Sequence, residues 1–135
     1  MAEKKILEKL RGTSAVTTLC GASTSIRGGE LRKGDTLPGI AVTGSQRPVN
    51  KSAGTTATEF ADIEVQCIAE RYDDAHDLAD VVKTALNGFT HATGLPNISM
   101  THVQDVTYAP GPWIRGEDKV YEMFTVNCLV QYATS

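Results

Sequence analysis

The sequence predicts an α+β fold: a mostly antiparallel sheet of about four strands, with a main helix packed on one face and a second helix at the N-terminus. Three observations carry this expectation. Residues 61–89 change hydrophobic period from that of a strand to that of a helix, and residues 120–132 alternate over a long run. The chain has 135 residues, 41% of them hydrophobic, which is the size of one ordinary domain spanning 1–135.

In the first stretch Ile63, Val65, Cys67 and Ala69 share one face of a strand, and Glu64, Gln66 and Ile68 share the other. Ala75, Leu78, Ala79, Val82, Ala85 and Leu86 then recur at spacings of three and four, the stripe of an amphipathic helix. Asp73 or Asp74 suits the N-cap, and Asn87-Gly88 supplies a left-handed stop with Phe89 folding back on the last turn. Burying Leu78, Val82 and Leu86 contributes roughly 1.5 to 3 kcal/mol each, while ordering the segment costs a comparable total, so the helix needs a sheet to dock on.

Taken in order, residues 2–10 carry Ile6, Leu7 and Leu10 as the narrow stripe of a first helix, broken by Gly12. Residues 14–20 add a helical turn capped by Ser14, and Gly28-Gly29 and Gly34-Asp35 mark turns around a polar stretch. Residues 37–43 read as a strand opened by Pro38. Residues 44–58 form a long loop of small polar residues, a length that in compact domains usually accompanies function. Residues 98–108 read as a third strand, and residues 109–118 as a turn-rich connection holding the only tryptophan, Trp113. In the last strand Phe124, Val126, Cys128, Val130 and Tyr132 alternate with Met123, Thr125, Asn127, Leu129 and Gln131. Apolar residues on both sides make it either central in the sheet or a contact with another molecule.

Composition excludes several functions. Thirteen Lys plus Arg against 16 Asp plus Glu leave a net charge of -3, too mild for general nucleic-acid binding by counterion release. No apolar run approaches the roughly 20 residues of a membrane span, so no membrane partner is expected. Cys20, Cys67 and Cys128 are odd in number and widely spaced, which fits reduced thiols in a cytoplasm, with Cys67 and Cys128 as small core residues.

Chemistry is sparse. His76 and Asp80 share a helix face but fall opposite the apolar stripe, where a solvated surface is the better reading than a metal site. Lys51-Ser52 lacks the glycine and spacing of a phosphate-binding loop, and no zinc spacing or nucleophile elbow is present. No cofactor, metal or catalytic residue is expected. Arg47 and Lys51 in the long loop, Trp113, Ile114 and Arg115 after the prolines, and Met123 and Leu129 on the second face of the last strand are instead candidate contacts with a partner subunit or protein.

The order of these motifs resembles the tail-terminator or tail-completion proteins of long-tailed bacteriophages. An N-terminal helix precedes Leu37-Pro38-Gly39-Ile40-Ala41-Val42, a long hairpin, Ile63-Glu64-Val65-Gln66-Cys67, then Tyr72-Asp73-Asp74-Ala75 leading into Leu78-Ala79-Asp80-Val81-Val82, Ala85-Leu86-Asn87-Gly88 and a final strand to Tyr132. Residues 14–33 depart from the pattern, with Ser25-Ile26-Arg27-Gly28 where a short aromatic-containing strand is common. The resemblance implies a virion protein made in the host cytoplasm. It forms a ring, typically a homo-hexamer, at the head-proximal end of the tail tube. There it stops tube polymerisation, meets the tail tube protein and the head–tail connector, and lets DNA pass through its lumen without sequence-specific binding. A head-closure or neck adaptor is the neighbouring reading, and a small α+β enzyme with His102, Asp105 and Arg115 at a subunit boundary is the third.

Overall fold

The computed structural model describes residues 2–20, 25–46, 58–91, 97–114 and 119–133. Helices α1 (Ala2–Arg11) and α2 (Ser14–Leu19) lead into a short strand β1 (Ile26–Gly28), followed by β2 (Gly39–Gln46), β3 (Thr58–Ala69), α3 (Tyr72–Leu86), β4 (Asn97–Tyr108) and β5 (Glu122–Ala133). The five strands form one sheet in the order β1-β2-β3-β5-β4. β1 runs parallel to β2, and every other pairing is antiparallel.

The expected α+β class and mostly antiparallel sheet are observed, with a fifth strand in the region expected to hold only turns. Three residues are too few to display alternation, and β1 is held by distant partners: Ile26 lies opposite Ile40, and the Arg11 guanidinium at the end of α1 donates to the Ile26 carbonyl at 2.7 and 3.1 Å. A parallel neighbour needs a crossover. Residues 29–38 supply it across the outer face of the sheet, burying Leu31 there. Gly39 lets this connection lie close, since a Cβ at 39 would stand 2.9 Å from Leu31 Cδ1.

All three helices cover the inner face. Ile40 and Val42, Ile63, Val65 and Cys67, and Val126, Cys128, Val130 and Tyr132 meet Ile6, Leu10, Val16, Leu78, Val82 and Leu86 in the main core. The alternation read in β3 and the three-four spacing read in α3 are these buried residues; Ala85 alone of the helical stripe is only partly buried. β5 lies between β3 and β4, so its apolar second face belongs to a strand paired on both sides.

The helix starts differ from expectation by one to three residues. α3 begins at Tyr72 with Arg71 at the N-cap and no side-chain cap, because β3 runs to Ala69 and leaves only Glu70 and Arg71 for the turn. Asp73 and Asp74 lie within the first turn, where their charge faces the positive end of the helix dipole. In α2 the N-cap is Thr13, its hydroxyl already donating to the Lys9 carbonyl at 2.7 Å, and Ser14 is the first helical residue. The stop of α3 is as read: Gly88 takes φ +82°, and its N–H donates to the Thr101 carbonyl at 2.8 Å. The Asn87 side-chain oxygen accepts from the Val103 amide at 3.3 Å, so the helix end is tied to β4. Together with the His91–Ile98 bridge, these bonds occupy the first half of the outer edge of β4.

Candidate assembly surface

The most prominent apolar feature on the described surface is an aromatic cluster built from three elements. Tyr72 opens α3, His76 follows one turn later, Tyr108 ends β4, and Phe124 lies opposite Tyr108 on β5. The ring centroids of Tyr72 and Tyr108 are 5.2 Å apart in an edge arrangement, Tyr72 and Phe124 are also 5.2 Å apart, and Tyr108 and Phe124 are 5.0 Å apart. His76 meets Phe124 edge-on at 5.4 Å. Phe124 is buried, whereas Tyr72 and Tyr108 remain 49% and 44% exposed. Val106, 39% exposed, sits on the same strand and face as Tyr108.

The Tyr108 hydroxyl donates to the Glu122 carboxylate, and that bond and the neighbouring negative charge push its ionisation above the usual tyrosine value. The phenol is thus neutral at physiological pH and offers an apolar ring with one polar tip. Exposed rings grouped on rigid elements lose little entropy on docking, the property of a residue that anchors an interface. His76 also lies 3.6 Å from Asp77 and 3.7 Å from Asp80, all three side chains about half exposed or more. This is the solvated surface expected, and no group of three possible metal ligands exists among the described residues.

The contact residues expected from sequence separate. Ile114 and Met123 are buried within the subunit, 3% and 6% exposed, packed with Leu31, Ala41, Ile68 and Tyr121 under the crossing connection. They fill a second, smaller core on the outer face, which the sequence read as open to a partner. Trp113 is half-buried against that core, and its indole N–H donates to the Ala109 carbonyl at 2.8 Å. Leu129 is half-buried on the outer face, opposite Asp62 of β3. Arg47, Lys51 and Arg115 lie outside the described residues. His102 and Asp105, the enzyme alternative, are exposed on the same outer face, opposite Leu129 and Asn127, and line no cavity among the described residues.

Nothing described resembles a reactive centre. Burial pushes the Cys20 thiol up to about 11 and the Cys128 thiol up to about 12, and raises Cys67 further, so all three stay protonated and poorly nucleophilic. A cavity of about 350 Å³ sets Arg32 and Arg71 against Asp35, Glu70 and Asp74, with no histidine, cysteine or serine among its described lining.

The sequence profile of the family described as "Tail completion protein gp17" matches residues 4–116. No protein of curated function matches the chain. Among solved structures, a chain of the "Virion of native gene transfer agent (GTA) particle" is similar, with a TM-score of 0.65 and 15% identity, covering 95% of this chain and 92% of that one. At that identity the likeness concerns the fold.

Proposed function

The chain belongs to the tail completion protein family, and on that premise we propose that it forms a ring, six copies being the expected number, at the head-proximal end of a bacteriophage tail tube. Membership makes it a structural tail protein and not an enzyme. In the proposed role the ring ends tube polymerisation and presents a surface to the head connector. The protein is then a component of the virion, at the head–tail joint, with the tail tube protein on one side and the connector on the other.

The family match over residues 4–116 is the observation that carries this reading. Physical support comes from the surface. A closed ring uses heterologous contacts, so each subunit needs two different adhesive patches, and closure prevents a filament. The Tyr72–Tyr108 cluster is one such patch, lying beside the last residues of β4, whose outer edge pairs with no other described strand. Each subunit contact is expected to bury on the order of 1,600 Å². Imaging of purified tails with the protein labelled at its C-terminus tests the reading: a ring of label confined to the head-proximal tip supports it, and label along the tube or absent from tails refutes it.

A further inference from the structure

An aromatic patch at one edge of the sheet can join copies into a ring only if a different patch receives it. The opposite edge of the sheet holds a candidate. Between α1 and β1 the described residues form a groove of about 160 Å³, lined by Glu3, Lys4, Leu7, Gly28 and Val42, and its exposed wall is almost entirely apolar. Gly28 leaves it open, since nothing beyond its chain neighbours lies within 4 Å of a Cβ built there. An apolar cavity of roughly 150 Å³ is enough to take a benzene ring.

Groove and cluster agree in level and in face. Gly28 pairs with Val42, Val42 with Val65, Val65 with Val126 and Val126 with Val106, a single row from β1 to β4. Val42 and Val126 belong to the main core under the helices, as does Phe124, the partner of Tyr108. The groove at one end of the row and Val106 with Tyr108 at the other therefore share the helical side of the sheet. Bringing one patch onto the other in successive copies takes a rotation without a rise along the strands, which closes a ring and winds no filament.

The charges beside the two patches are opposite. α3, which carries Tyr72 and His76 of the cluster, has Asp73, Asp74, Asp77 and Asp80 against Lys83. α1, which forms one wall of the groove, has Lys4, Lys5, Lys9 and Arg11 against Glu3 and Glu8. Cluster meeting groove joins unlike charges, whereas cluster meeting cluster, the two-fold alternative, sets aspartates against aspartates.

Resting on the ring reading above, we propose that the groove between α1 and β1 is the second patch, and that its occupant is an exposed ring of the Tyr72–Tyr108 cluster of the next copy. The ring supplies apolar burial, and the lysines of α1 and the aspartates of α3 set which edge meets which.

Two variants made in the phage that encodes the protein test this. Gly28→Leu fills the groove from a position with open space around it, so the subunit is expected to keep its melting temperature while its incorporation into tails falls about ten-fold or more. Lys4→Cys with Asp73→Cys places reactive thiols beside both patches, the native cysteines being buried. A short bismaleimide added to purified tails is expected to link these double-variant copies into a ladder of multimers and to link neither single variant. Full incorporation of folded Gly28→Leu overturns the inference. So does a double variant present in tails that yields no ladder, or an Asp73→Cys single variant that links to itself, because clusters then meet each other. Wild-type protein missing from the tail tip is a separate outcome that removes the ring reading itself.

Discussion

The Nη2 atom of Arg27 lies 2.8 Å from Oδ1 of Asp35, joining the first strand of the sheet to the connection that crosses its outer face. The other carboxylate oxygen of Asp35 accepts the Arg32 amide, also at 2.8 Å. Burial pushes the Asp35 carboxyl up, but the bonds from Arg32 and Arg27 and their positive charge outweigh it and hold it below the usual carboxylate value. A depressed carboxyl contributes stability that is complete above its unfolded value near pH 3.9 and is lost as pH falls through the lower folded value. Asp35→Asn is therefore expected to cost about 1.5 kcal/mol at pH 7 and much less at pH 2 to 3. Thermal unfolding at the two pH values checks this; an equal loss at both contradicts the pairing.

Gly111 stands against the indole of Trp113, where a Cβ would come within 2.8 Å of Cε2 and 2.9 Å of Cζ2. Gly111→Ala must displace the ring from the second core and break its bond to Ala109. A loss of about 1 to 3 kcal/mol is expected. With only one tryptophan in the chain, the displacement reads directly as a red shift in fluorescence. An unshifted spectrum would place the indole elsewhere.

Cys20, Cys67 and Cys128 are buried and free. A thiol reagent at pH 8 is expected to modify none of them in the native protein and all three in denaturant. The sign of the pH effect follows. Above pH about 8.5 the unfolded chain ionises its thiols while the folded one keeps them protonated, so stability falls as pH rises. Rapid native labelling of any one would show that the core is open there.

Tyr72→Ser and Tyr108→Ser remove exposed rings. Each is expected to change subunit stability by about 1 kcal/mol or less, while the pair together greatly reduces incorporation into tails. Melting temperature and quantitative blotting of purified tails separate the two effects. Full incorporation of the folded double variant would exclude the aromatic cluster as an assembly contact.

How much of this was legible in the sequence follows from where the information lies. The β3–α3 unit was readable because the alternation of Ile63, Val65 and Cys67 and the three-four spacing of Leu78, Val82 and Leu86 are local signals, each answered by a buried side chain. β1 was not, because Ile26 acquires its role only from Ile40 and Arg11, which are remote in the chain. Ile114 and Met123 read as open contacts because nothing near them in sequence announces that residues 29–38 cross over them. The aromatic cluster was invisible for the same reason: Tyr72, Tyr108 and Phe124 meet only because β5 is inserted between β3 and β4.

Tail length in a phage lacking the gene tests the central claim most directly. If the protein caps the tube, electron micrographs of the deletion strain will show tails well beyond the wild-type length and unattached to heads, with normal length restored by the gene in trans. Tails of wild-type length lying beside finished heads would contradict capping and assign the protein to joining alone.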